Sequence, residues 1–116
     1  MRRFDTALDP SYPPHDLDRA VELNPQHAKA WCTRGVLRQR QGDPAGALAD
    51  LDRAIEIHCG LTQAWASRGI VRREQGDLAG ALADWDRFLL LAPEDPQAPA
   101  VRAAQEQVRA ELSRLR

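Results

Sequence analysis

The pentapeptide DLDRA occupies residues 16–20, returns unchanged at 50–54, and returns once more as DWDRF at 84–88. Both intervals are 34 residues. Laying residues 28–61 over 62–95 without a gap matches 16 of 34 positions. Trp31, Arg34, Gly35 and Arg38 in the first stretch fall on Trp65, Arg68, Gly69 and Arg72 in the second. QGD then appears at 41–43 and 75–77, and AGALAD at 45–50 and 79–84. A fixed period of this length marks a solenoid, in which one small unit is stacked on the next.

Each unit reads as two helices and one break. The first helix is expected over 27–41 and again over 61–75, the second over 44–57 and 78–91. Gly42 and Gly76 supply the left-handed position that ends a helix, and Asp43 and Asp77 then cap the next one. Pro44 sits in a first turn, where its missing N–H costs nothing. Asn24-Pro25 and Asp95-Pro96 repeat this cap-then-proline start. Gly35 with Ala47, and Gly69 with Ala81, let paired helices approach closely, while Trp31 and Trp65 fill the gap between neighbouring hairpins. Leu17, Leu51 and Trp85 hold the inward position of each second helix, with Ala20, Ala54 and Phe88 three residues on along the same face. On this reading the apolar letters of the pentapeptide are core, and its aspartates and arginine face water.

The pattern resembles the tetratricopeptide repeat family over residues 16–95. The family's offsets are met by Trp65, Gly69, Ala81, Phe88 and Pro93, and one unit earlier by Trp31, Gly35, Ala47, Ala54 and Cys59. Leu17, Ala20 and Pro25 form a partial unit before them. The resemblance implies an all-α, right-handed α-solenoid of antiparallel helix pairs, with about two full repeats, a half repeat and a C-terminal capping helix. Its expected divisions are an irregular segment 1–14, a half repeat 15–25 with only its second helix, repeats at 26–61 and 62–95, and a capping helix 96–116. Three departures stand out: Cys59 replaces a proline, Phe88 replaces a small residue, and Arg34, Arg38, Arg68 and Arg72 stand where Leu and Tyr are usual. The arginines are expected to pair with Asp18, Asp50, Asp52, Asp84 or Asp86 at the surface, each pair contributing about 0–1 kcal/mol. The competing reading is an arginine ladder for an anionic partner.

Both ends of a solenoid must cover an apolar face. The C-terminal helix carries Val101, Ala104, Val108 and Leu112 at helical spacing, with Glu106, Arg109, Glu111, Arg114 and Arg116 toward water and Pro99 in the first turn. At the other end Pro10, Pro13 and Pro14 leave no room for the missing partner helix. Leu17 and Val21 are therefore expected to form an open apolar edge. Phe4, Leu8 and Tyr12 fold over it, or another copy of the chain does, giving a homo-oligomer.

Little in the sequence points to chemistry. Net charge is −1 and pI about 6.3, which argues against a nucleic-acid binder, whose affinity rests on excess Lys and Arg. Fifteen of the 16 basic residues are arginine, leaving Lys29 as the single lysine. No apolar run is long enough to span a bilayer and no signal peptide is evident, so a cytoplasmic protein without membrane association is expected. Cys32 and Cys59 read as small hydrophobes, and His15, His27 and His58 have no catalytic or metal-ligand spacing. No enzyme activity and no cofactor are expected. In the family, the first helix of each unit lines a concave groove for a peptide or helix of another protein. By position the groove residues are Lys29, Cys32, Thr33, Val36, Gln39 and Arg40, then Gln63, Ala66, Ser67, Ile70, Arg73 and Glu74. Chaperone-binding members clamp a terminal carboxylate with Lys, Asn and Arg. Cys32, Val36, Ala66 and Ile70 occupy those places here, so an apolar floor suited to a peptide or amphipathic helix is expected instead. The alternatives are a self-assembling structural unit and, more weakly, an RNA-binding helical repeat.

Overall fold

In the computed structural model, which describes residues 14–115, six helices follow one another without a strand among the described residues. They are α1 (Pro14–Leu23), α2 (Ala28–Arg40), α3 (Pro44–Ile57), α4 (Thr62–Glu74), α5 (Leu78–Leu91) and α6 (Ala98–Arg114). The fold is an all-α solenoid in which α2 pairs with α3 and α4 with α5, α1 lies on α2, and α6 closes on α5. Phe4, Leu8, Tyr12 and Arg116 lie outside the described residues.

The breaks form as the local chemistry dictates. Gly42 and Gly76 adopt φ of 82° and 86°, a region that a side chain disfavours. The carboxylates of Asp43 and Asp77 then accept from the N–H groups of Gly46 and Gly80. Asn24 and Asp95 behave differently from Asp43 and Asp77. Each side chain accepts from the backbone N–H two residues on, Gln26 at 3.2 Å and Gln97 at 2.8 Å, which folds a turn before the helix begins. His27 caps α2 instead, through Nδ1 to the N–H of Ala30.

Two apolar clusters hold the stack. Ala47, Leu51, Ala54, Ala64, Val71 and Cys32 make one, and Ala66, Ala81, Trp85, Phe88, Ala98, Val101 and Val108 the other. Gly35 lies against Leu51, where an added Cβ would meet Leu51 Cγ at 2.9 Å, and Gly69 lies directly under the Trp85 indole. Trp31 and Trp65 are only half-buried. Each indole donates to the carbonyl six residues earlier, Pro25 at 2.9 Å and Cys59 at 2.8 Å, fastening the preceding turn to the helix as much as filling a gap.

Three expectations need correction. Asp50 and Asp84 are 2% and 1% exposed, so the first aspartate of the pentapeptide is core in the second and third copies, while Asp16 in the first is only partly buried. Leu17 and Val21 are buried as well, so they present no open edge. Leu23, in the last turn of α1, is 75% exposed. In α6 the buried stripe is Ala98, Val101, Gln105 and Val108, with Ala104 and Leu112 half-buried beside it.

Candidate functional site

The arginines define the frame around the concave face. Arg34 donates through Nε and Nη2 to both oxygens of Asp50 at 2.8 Å, and through Nη1 to Asp18 at 2.7 Å. One unit later Arg68 does the same with Asp84 (3.0 and 2.9 Å) and with Asp52 at 2.7 Å. The first aspartate of the pentapeptide thus takes the arginine of its own hairpin, and the second takes that of the next hairpin. Arg38 adds a further bond to Asp50, and Arg72 donates through Nη1 to both oxygens of Asp84. Hydrogen bonding to Asp50 holds the Arg34 guanidinium above its ordinary range. For Arg68 desolvation pulls the other way, and the bonds to Asp84 and Asp52 outweigh it. These four arginines are therefore structural, with carboxylates already in place. Arg34 and Arg68 also stack on the Trp31 and Trp65 rings at 5.0 Å.

The series ends at α6. Arg102 stands at the next 34-residue step, but its guanidinium turns to the carbonyl of Pro93 at 3.5 Å. Buried Gln105 donates instead to Asp86 at 2.6 Å. A neutral amide thus satisfies the last carboxylate where the array stops.

Three adjoining depressions lie on the face shared by α2, α4 and α6. The first, about 210 Å³, is lined by Cys32, Thr33, Val36, Arg40 and Gln63. The second, about 150 Å³, runs from Val36, Gln39 and Arg40 past Leu51 and Val71 to Gln63, Ser67 and Ile70. The third, about 220 Å³, is framed by Ala66, Ile70, Trp85, Gln97, Ala100, Val101 and Ala104. Shared residues Val36 and Ile70 join them into one trough. Ile70 is 46% exposed, a large aliphatic side chain in the middle of its floor.

Nine of the twelve groove residues expected from sequence line this trough: Cys32, Thr33, Val36, Gln39, Arg40, Gln63, Ala66, Ser67 and Ile70. Lys29, Arg73 and Glu74 do not. Glu74 accepts from Gln39 Nε2 at 3.0 and 3.1 Å, and Arg73 reaches Gln107 at 3.3 Å and Glu111 at 3.6 Å, so these side chains knit a lip from α2 to α6. Lys29 lies exposed on the first turn of α2. Cys32 is buried, and desolvation pushes its thiol up to about 11 against a small opposing pull from Lys29. The contributions of Trp85 and α6 were not anticipated. Helical spacing in α6 identifies its apolar residues, but not that Ala100 and Ala104 turn toward the trough. No group of three His, Cys, Asp or Glu among the described residues could hold a metal ion.

Residues 17–49 match the tetratricopeptide repeat family model. The stacked hairpins share the tetratricopeptide-repeat fold. No curated protein matches it in sequence. Among solved structures, this chain is similar to the first repeat domain of Spaghetti (RPAP3) bound to the HSP90 peptide SRMEEVD. That likeness has a TM-score of 0.79 and 21% identity, covering 96% of this chain and 81% of that one. It is also similar to the Yersinia enterocolitica type III secretion translocator chaperone SycD, with a TM-score of 0.82, 13% identity and coverage of 86% and 72%. The repeat domain of Arabidopsis OM64 gives 0.77 at 22% identity, with coverage of 84% and 78%. At these identities the likeness is one of fold. No helix among the described residues is long and apolar enough to cross a membrane.

Proposed function

We propose that the trough across α2, α4 and α6 holds an apolar peptide or amphipathic helix of another protein, and that the chain acts as a binding scaffold without catalysis. The observation that carries this reading is the exposure of Ile70 at the centre of a continuous concave surface floored by Val36, Trp85 and Val101. A large aliphatic group in such a place gains free energy by being covered, at about 25 cal/mol per Å² of apolar surface. The solved structures of this fold include one bound to an HSP90 peptide, which supports use of the fold for holding peptides. The apolar residues Val36 and Ile70 in place of a cationic clamp favour an apolar occupant over a terminal carboxylate.

Self-assembly through α1 loses its surface, because Leu17 and Val21 are already covered. An RNA-binding reading loses its basic stripe, because Arg34, Arg38, Arg68 and Arg72 already face carboxylates. A photo-crosslinking residue at position 70 tests the proposal against one at position 90, where Leu90 is exposed outside the trough. Position 70 is expected to capture proteins from the native lysate that position 90 does not, and Val36→Glu is expected to suppress that capture. Identical capture from both positions would overturn the reading.

A further inference from the structure

The trough has an electrical polarity. Arg40 lines its first two depressions, and no carboxylate lines any of the three. Among the described residues the Arg40 guanidinium makes no ion pair or side-chain hydrogen bond, although Arg34, Arg38, Arg68, Arg72 and Arg73 all do. Lys29, on the same concave face of α2 three turns earlier, is likewise exposed and without an ion pair. One unit along, these two positions hold Gln63 and Glu74, and Glu74 is engaged by Gln39. Another unit along they hold Gln97 and Val108. Uncompensated positive charge therefore sits at the α2 end, and the α6 end is neutral and apolar.

We propose that the occupant of the trough is an internal peptide segment that presents a side-chain carboxylate to Arg40, immediately beside an apolar residue seated between Val36 and Ile70. Its continuing apolar side chains lie toward Trp85 and Ala104. This rests on the trough reading above and adds its ligand chemistry and direction. Arg40 is the residue suited to the task. A guanidinium pairs a carboxylate with two parallel hydrogen bonds, and its alkyl stem continues the apolar floor beside Val36. The apolar contacts supply affinity, and the charge at one end fixes which way the segment lies.

Selection from a random-peptide phage library tests this, with two separate readouts. Binders of the wild-type chain that are lost on Ile70→Glu define the trough ligands. Among these, Asp or Glu is expected next to the apolar anchor. The same selection on Arg40→Glu is expected to replace it with Lys or Arg. Synthetic copies with amidated ends are expected to bind as well as free ones. Exchanging their acid for its amide is expected to weaken binding roughly three- to tenfold. Arg40 is exposed, and thermal unfolding of Arg40→Glu is expected to match wild type. Trough ligands with the same flanking residue in both selections would overturn the proposed charge contact while leaving the trough intact. So would a requirement for a free carboxyl terminus. An absence of any Ile70-dependent binder would overturn both readings.

Discussion

Asp84→Ala removes a buried carboxylate that accepts from Arg68 at 2.9 and 3.0 Å and from Arg72 at 3.2 Å. Breaking a buried ion pair from one side costs about 3–5 kcal/mol, because the other charge stays desolvated. Here Arg68 retains Asp52, and Arg72 keeps partial access to water, so the low end applies, about 3 kcal/mol. For a domain of this size each kcal/mol lowers the melting temperature by roughly 4 °C, which gives about 12 °C. Asp52→Ala removes only the exposed partner of the same guanidinium, at 49% side-chain exposure, and is expected to cost under about 1 kcal/mol. Thermal unfolding followed by far-ultraviolet circular dichroism, with guanidinium titration as a check, measures both. The double replacement Arg68→Met with Asp84→Leu is expected to recover part of the Asp84→Ala loss, since the more deeply buried guanidinium is removed with its partner and only Arg72, which keeps partial access to water, loses a contact. Equal losses for Asp84→Ala and Asp52→Ala would refute the claim that burial sets the strength of these contacts.

The remaining predictions concern packing, the thiols and the array end. Gly69→Ala drives a Cβ into the rigid Trp85 indole and is expected to cost about 2–3 kcal/mol. Gly35→Ala meets the Cγ of fully buried Leu51 at 2.9 Å and the Ala47 carbonyl oxygen at 3.2 Å, so even with about 1 kcal/mol gained in helix propensity a net loss of about 1–2 kcal/mol is expected in the same melts. Alkylation at pH 8 is expected to label exposed Cys59 rapidly and spare Cys32, read by mass spectrometry of peptides. The raised Cys32 thiol means that the folded chain keeps a proton which the unfolded chain releases near pH 9. That contribution to stability is therefore present below pH 9 and lost as pH rises toward about 11, and Cys32→Ala is expected to flatten this part of the profile. Gln105→Leu leaves Asp86 without its amide donor, and α6 is expected to exchange its backbone hydrogens faster than α4.

Much of this molecule can be read from spacing. A helix ends where glycine must take a positive φ, as at Gly42 and Gly76, and the next begins where aspartate can accept from a free N–H, as at Asp43 and Asp77. Those are local rules, and they placed α3 and α5 at the expected residues. Asn24 and Asp95 follow the same composition to another outcome, because their side chains close a turn two residues on and leave the helix start to later residues. The side-by-side placement of α2 and α4 was legible as well, since residues separated by 34 positions must lie next to one another once hairpins stack.

The charges were not legible in this way. In sequence, Asp50 and Asp52 are two similar carboxylates on one exposed-looking turn. Only the crossing of α2, α3 and α4 buries the first against Arg34 and leaves the second half in water to take Arg68. The repeat alone determined the helices, their pairing and the face they share, because these depend on backbone conformation and apolar periodicity within one unit. Tertiary structure decided which ions are core, how α6 turns to finish the trough, and which cations of α2 are left without an ion pair among the described residues. Each of these depends on distances between side chains of different units, and such distances exist only after stacking.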